Sequence, residues 1–188
     1  MKLILLIACG DPHGTVPDDT DAAAPAPTGD TGAPTEPERP LAPPLELCIN
    51  EFAPSNAGSW LDETGAAPDW IEIHNPGADP VDLLNWALTD DRDDPARHRF
   101  LASLVVEPGA FVVFAADGLP ELGPTHLSFS LAADGEEVAL FRLEDASAEI
   151  VAYGGVVDDV AIARETDCGP IEGWTHLAGG TPGTSNAP

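Results

Sequence analysis

The sequence predicts an all-β sandwich, and three observations support this fold class. Short apolar stretches recur from about residue 45 onward, separated by turn residues about every eight to twelve positions. Several of these stretches alternate apolar and polar residues, the period of a strand with one buried face. No stretch shows the apolar spacing of an amphipathic helix, and no internal repeat is present.

The clearest predicted strands lie between residues 68 and 91. Ile71 and Ile73 alternate with other residue types, and the apolar pattern resumes at 81–88 after turn residues at 75–80. We interpret this stretch as two strands joined by a tight turn.

The remaining predicted strands are short and cover most of the rest of the folded part. In the stretch 126–131, Leu127, Phe129 and Leu131 are expected to point inward, and Asp134-Gly135 is a hairpin signal. These strands are predicted at 45–54, 97–100, 104–106, 110–115, 126–131, 137–143, 149–153, 156–164 and 174–177.

The N-terminal residues Leu6-Ile7-Ala8-Cys9 resemble a bacterial lipobox. This resemblance implies a signal peptide at 1–8 and lipid attachment at Cys9, where several acyl chains would anchor the protein stably in a membrane. The apolar run before Cys9 has six residues, which is shorter than the roughly 7–15 of an export signal. The alternative interpretation is a hydrophobic start to a cytoplasmic protein.

Residues 9–44 are rich in Pro, Ala, Thr, Gly and Asp, with almost no large apolar side chain before Leu41. Such a composition buries too little surface to offset chain entropy, so we predict a disordered, acidic, Pro-rich linker. The folded domain is predicted at 45–188.

The chain carries 33 acidic and 7 basic residues, a formal net charge of -26. This charge disfavours nucleic acid as a partner, because phosphate backbones attract basic proteins. It leaves divalent cations and basic surfaces as plausible partners.

Several separated motifs resemble the bacterial lamin-tail domain. They occur in the same order as in that family and cover residues 45–186, the whole folded part. The matching stretches are Ile49-Asn50-Glu51-Phe52, Asp69 to Asn75, Val81-Asp82-Leu83 with Trp86, Leu88 and Asp90-Asp91, Pro108-Gly109 before Phe111 to Phe114, Leu127 to Leu140, and the terminal Thr-Pro-Gly-x-x-Asn.

The resemblance implies an immunoglobulin-like β-sandwich that binds or tethers rather than catalyses. No heptad repeat is present, so a role in filaments does not carry over. Leu84-Asn85 replaces the Ser-Gly usual in the family, and Asn is expected to tolerate the left-handed turn conformation. In a sandwich of this order Cys48 and Cys168 are expected to meet, and an exported protein would oxidise them to a disulfide.

Two groups of side chains are candidates for a site. Glu72 and His74 share a strand face, and with Glu51 they would suit a metal-dependent hydrolase. Acidic loops are candidates for calcium, which prefers several oxygen ligands. In the loop at 90–94, Arg92 and Arg97 could neutralise the aspartates instead. The calcium candidates are Asp62, Glu63, Asp90, Asp91, Asp93 and Asp94.

We therefore expect an exported, lipid-anchored cell-envelope protein that displays a non-catalytic binding or adhesion module. No cofactor is required on this interpretation, and calcium is the candidate ion. The expected partners are an envelope or extracellular protein or glycan, and the membrane through the lipid anchor. The alternatives are a small secreted metal-dependent hydrolase and a structural spacer stabilised by calcium.

Overall fold

A computed structural model describes residues 45–170 and 172–186. The predicted signal peptide, linker and Cys9 lie outside these residues and stay predictions. Within the described part the chain forms the strands β1 (Cys48–Ala53), β2 (Asp69–His74), β3 (Val81–Asp82), β4 (Trp86–Thr89), β5 (His98–Arg99), β6 (Val105–Val106), β7 (Phe111–Ala116), β8 (Glu137–Arg142), β9 (Ser147–Ala152), β10 (Val160–Arg164) and β11 (Trp174–Ala178).

The described residues form an all-β sandwich, which confirms the predicted fold class. The larger sheet has five antiparallel strands in the order β11-β10-β1-β2-β7, and a second sheet has the order β5-β4-β8-β9. A two-stranded sheet pairs β3 with β6. One turn of 3-10 helix covers Pro120–Leu122. None of the described helical residues forms a segment that is long and apolar enough to span a membrane.

One apolar core fills the space between the sheets. Its largest fully buried members include Phe52, Ile71, Phe114 and Leu140, which come from both of the larger sheets. Removing such apolar surface from water is the main stabilising contribution to the fold. Trp70, Ala53 and Ala161 form a second, smaller cluster, against which Trp60 packs.

The predicted hairpin at 68–91 is wrong, although both of its apolar stretches contain strands. β2 pairs with β1 and β7, whereas β4 pairs with β5 and β8 in the other sheet. The chain therefore crosses between sheets after residue 74. β2 is also buried along nearly its whole length, because it is a central strand with both faces covered.

The predicted strand at 126–131 is not a regular strand in the structure. The segment makes isolated bridges, Ala115 with His126 and Asp117 with Ser130. The predicted inward side chains Leu127, Phe129 and Leu131 are nevertheless buried. The segment thus runs along β7 in an extended form without a continuous ladder.

Candidate functional site

Two buried glutamates lie side by side at the centre of the five-stranded sheet. Glu51 of β1 pairs with Glu72 of β2, and both residues are 0% exposed. A shift of register between Ile49 and Glu51 leaves Asn50 as the extra residue of a β-bulge. Asn50 Nδ2 donates to Glu72 Oε1 at 3.0 Å. The bulge therefore gathers three polar side chains from two neighbouring strands.

The C-terminal segment, residues 181–186, completes the hydrogen bonding of both glutamates. Thr181 donates to Glu51 Oε2 from its backbone N at 3.0 Å and from Oγ1 at 2.8 Å. Gly183 N donates to Glu72 Oε2 at 2.6 Å. Because these donors cover both carboxylates, the glutamates hold the end of the chain and do not line an open cleft.

Asp167 adds a third carboxylate next to these two. It accepts from Asn50 Nδ2 at 3.2 Å and from Asn186 N at 2.9 Å. Asn186 Nδ2 in turn donates to the backbone oxygens of Asn50 and Arg164, at 3.2 and 3.0 Å. We call Asn50, Glu51, Glu72 and Asp167 the polar cluster.

Burial shifts the protonation of the two glutamates. It raises the pKa of Glu72 to about 7, although hydrogen bonds from Asn50 and Gly183 oppose the shift. Burial also raises the pKa of Glu51, against the hydrogen bonds from Thr181. Glu72 therefore keeps its proton in the folded protein at pH values where an unfolded chain has lost it.

His74 makes its described contacts with residues other than Glu51 and Glu72. Its ring stacks on Phe111 with centroids 4.0 Å apart, and its Nδ1 lies 3.0 Å from the backbone oxygen of Ala110. The hydrolase alternative needs these three side chains to converge in a cleft. All three side chains are buried, and the hydrolase alternative stays a prediction.

Cys48 and Cys168 form a disulfide, which confirms the predicted pair. Their Cα atoms are 5.6 Å apart, and the bond joins positions separated by 120 residues. A cavity of about 420 Å³ lies beside this disulfide, lined by Leu45, Pro76 and Ile150 among other residues.

The charged side chains of this cavity already have partners. The Arg164 guanidinium pairs with Glu149, donates to the backbone oxygen of Ile49 at 2.8 Å, and lies 4.7 Å from the ring centroid of Trp174. The cavity wall is therefore a disulfide, apolar side chains and a neutralised ion pair.

A second group of titratable side chains surrounds His126, which is fully buried. Its Nδ1 lies 2.7 Å from Asp117 Oδ2 and its Nε2 lies 2.9 Å from Glu63 Oε1. Burial alone would lower the pKa of His126, but the hydrogen bonds to Glu63 and Asp117 outweigh burial and raise it. Asp62 lies next to this group, and one of its oxygens is within 4.8 Å of ligand atoms of Asp117 and His126.

The turn at residues 90–94 is held by contacts within the turn and with two residues outside it. Arg97 pairs with Asp90 at 2.8 Å, as the sequence suggested. Arg92 pairs instead with Glu137 of β8. Asp91 Oδ1 accepts from Asp93 N at 2.9 Å. Among the described residues, Asp62 alone of the six calcium candidates belongs to a group that could hold a metal ion, and calcium binding by the two loops stays a prediction.

The comparison with family models shows which protein family the chain belongs to. A model described as the Lamin Tail Domain matches residues 40–161. The chain belongs to the lamin tail domain family. Searches among curated proteins and among solved structures gave no match.

The match to the lamin tail domain covers three of the four residues of the polar cluster. Asn50, Glu51 and Glu72 lie inside the match, whereas Asp167 and the C-terminal segment lie beyond residue 161. The C-terminal segment is nevertheless attached to the centre of the domain through the hydrogen bonds to Glu51 and Glu72.

The lamin tail domain also shows how the unusual Leu84-Asn85 turn is accommodated. Asn85 has φ 67°, the left-handed conformation, which confirms the expectation that Asn tolerates this position. Asn is one of the few non-glycine residues that adopt it routinely. The turn separates β3 from β4 and directs the chain from one sheet to the other.

Three residues of these groups were not singled out from the sequence: Asp117, Asp167 and Asn186. His126 stands singly, without ligand spacing, and the alternation at 126–131 places it on the outward face, whereas the structure buries it. Asp167 precedes Cys168 by one position, and Asn186 belongs to the terminal Thr-Pro-Gly-x-x-Asn motif. That motif and the cysteine were the only signals near the last two.

Proposed function

We propose that this protein is an exported, lipid-anchored protein of a bacterial cell envelope and displays its lamin tail domain as a binding or adhesion module. The observation that carries the proposal is the Cys48–Cys168 disulfide. Disulfides form and persist in oxidising compartments outside the cytosol. Cys9, at the end of the apolar run, is the proposed site of lipid attachment.

The arrangement of the buried carboxylates supports a non-catalytic module. Glu51 and Glu72 are fully buried and hold the C-terminal segment. General acid–base catalysis requires groups that reach a substrate proton. These glutamates therefore act in folding, and binding is assigned to the surface of the domain, with a protein or glycan as the partner.

Export and lipid attachment are tested together in a bacterial host that carries out lipoprotein processing. We expect the full-length chain to take up labelled palmitate and to fractionate with membranes. Cys9→Ala should lose both properties, while Cys168→Ala should keep the label and serve as the control. Label retained in Cys9→Ala, or a wild-type chain without label and with reduced thiols in the cytosol, would contradict the proposal.

The binding role is tested with the full-length protein as bait in envelope extracts. A stoichiometric partner, protein or glycan, is expected with the oxidised protein and not with a denatured control. Absence of any saturable partner would favour a spacer role instead.

A further inference from the structure

We propose that Asp62, Asp117 and His126 bind one divalent transition-metal ion, with Glu63 positioning the histidine. This inference does not rest on export or lipid attachment. Asp62 lies in the loop before β2. Asp117 directly follows β7, and His126 lies in the extended segment after it. One ligand atom from each residue lies within 4.8 Å of the other two.

Asp62 is held rigidly with one carboxylate oxygen free. Its Oδ1 accepts from Thr64 N at 2.8 Å, Thr64 Oγ1 at 2.7 Å and Ala66 N at 3.0 Å. No described residue donates a hydrogen bond to its Oδ2. The residue is only 9% exposed. The three hydrogen bonds fix the carboxylate while its second oxygen stays available to coordinate a cation.

His126 is oriented as a metal ligand would be. Both ring nitrogens face carboxylates, Nδ1 toward Asp117 and Nε2 toward Glu63, but a neutral imidazole has a single proton to donate. With that proton on Nε2 and donated to Glu63, Nδ1 is free to coordinate an ion shared with Asp117. This is the carboxylate–histidine–metal arrangement that fixes ring orientation in metal sites.

The donor set selects the class of ion. One imidazole nitrogen and two carboxylates suit Zn²⁺ or Mn²⁺, with water completing the coordination. Calcium prefers oxygen ligands throughout and gains little from the histidine. The site thus differs in ion and in residues from the calcium loops expected from sequence.

The test is calorimetric titration of the full-length, disulfide-bonded protein with Zn²⁺ and with Mn²⁺. We expect one ion to bind per chain. Asp62→Asn retains an oxygen for Thr64 and Ala66 and should abolish stoichiometric binding. Asp94→Asn, which removes an exposed carboxylate with the same change of charge, should leave binding unchanged.

A second variant separates positioning from ligation. Glu63→Gln keeps all three ligands. It should lower the affinity for the ion by about 10–100-fold, the usual effect of losing a residue that orients a ligand. Melting without metal checks that each variant is folded. The proposal is overturned if neither ion binds stoichiometrically, or if Asp62→Asn and Asp94→Asn behave alike.

Discussion

Glu72, at the centre of the five-stranded sheet, accepts a 2.6 Å hydrogen bond from the backbone N of Gly183, 111 positions further along the chain. Together with the bond from Thr181 to Glu51, it joins the C-terminal segment to β1 and β2. The end of the chain and the central strands are therefore expected to fold and unfold together.

The stability of the domain should fall as the pH rises from about 4.5 to about 7.5. The pKa of Glu72 is raised from 4.5 to about 7 in the folded state, so its stabilising contribution is complete below the unfolded pKa and is lost as the pH passes the folded pKa. This difference in pKa corresponds to about 3 kcal/mol in the free energy of unfolding.

The pH prediction is measured by urea unfolding of wild type and Glu72→Gln at several pH values. Glu72→Gln cannot ionise and should lack this part of the pH dependence. Glu121→Gln, at an exposed position, should follow the wild-type curve. Parallel curves for wild type and Glu72→Gln would show that Glu72 titrates normally.

Thr181→Val should destabilise the protein by about 1–3 kcal/mol, because the buried Glu51 loses a donor that is replaced by a methyl group. Thr184→Val removes an exposed hydroxyl three positions later, whose 3.0 Å hydrogen bond to Thr181 O stays within the C-terminal segment, and should cost less than about 1 kcal/mol. Urea unfolding gives both values, and limited proteolysis followed by mass spectrometry reports release of the C-terminal segment. Equal stability of the two variants would argue against the coupling.

Gly180→Ala should be far more harmful than Gly179→Ala. Both glycines have positive φ, 64° and 79°, so each alanine carries a backbone cost of about 1–2 kcal/mol. A Cβ at Gly180 would also lie 2.7 Å from Glu51 Oε1 and 2.9 Å from Trp70 Cζ2, whereas nothing lies within 4 Å at Gly179. The additional overpacking is expected to cost about 1–3 kcal/mol, and similar melting temperatures for the two variants would contradict it.

Replacing both Cys48 and Cys168 by serine should lower the free energy of unfolding by about 4–5 kcal/mol, since the disulfide closes a loop across 120 positions. Reduction of the wild-type protein should give the same change. Cys9→Ser is the matched control, because Cys9 takes no part in this bond. Unaltered unfolding of the double variant would mean that the crosslink contributes little.

Local parts of the fold were predictable from residue patterns. The strands at 137–143 and 149–153 correspond to β8 and β9, which pair with each other across the turn at 143–146. Such a hairpin depends on neighbours in sequence. The hairpin at 68–91 was wrong because alternation shows that a segment is a strand but not which strand pairs with it.

The candidate sites were likewise predictable only in part. The pairing of Cys48 with Cys168 followed from the family resemblance, because in a sandwich of that strand order the two positions are expected to meet. The role of Glu51 and Glu72 was not predictable. It depends on the bulge at Asn50 and on the C-terminal segment that covers both side chains.

The sequence by itself determined the all-β class, the inward-facing residues and the left-handed turn at Asn85, because each depends on residues close together in the chain. It also showed the family resemblance, which rests on the order of several short motifs. Tertiary structure alone decided that Glu72 is a buried group with a raised pKa and that His126 lies between Asp117 and Glu63. Burial and electrostatics depend on distances in space. Those distances are set by which strands pair and by what covers them.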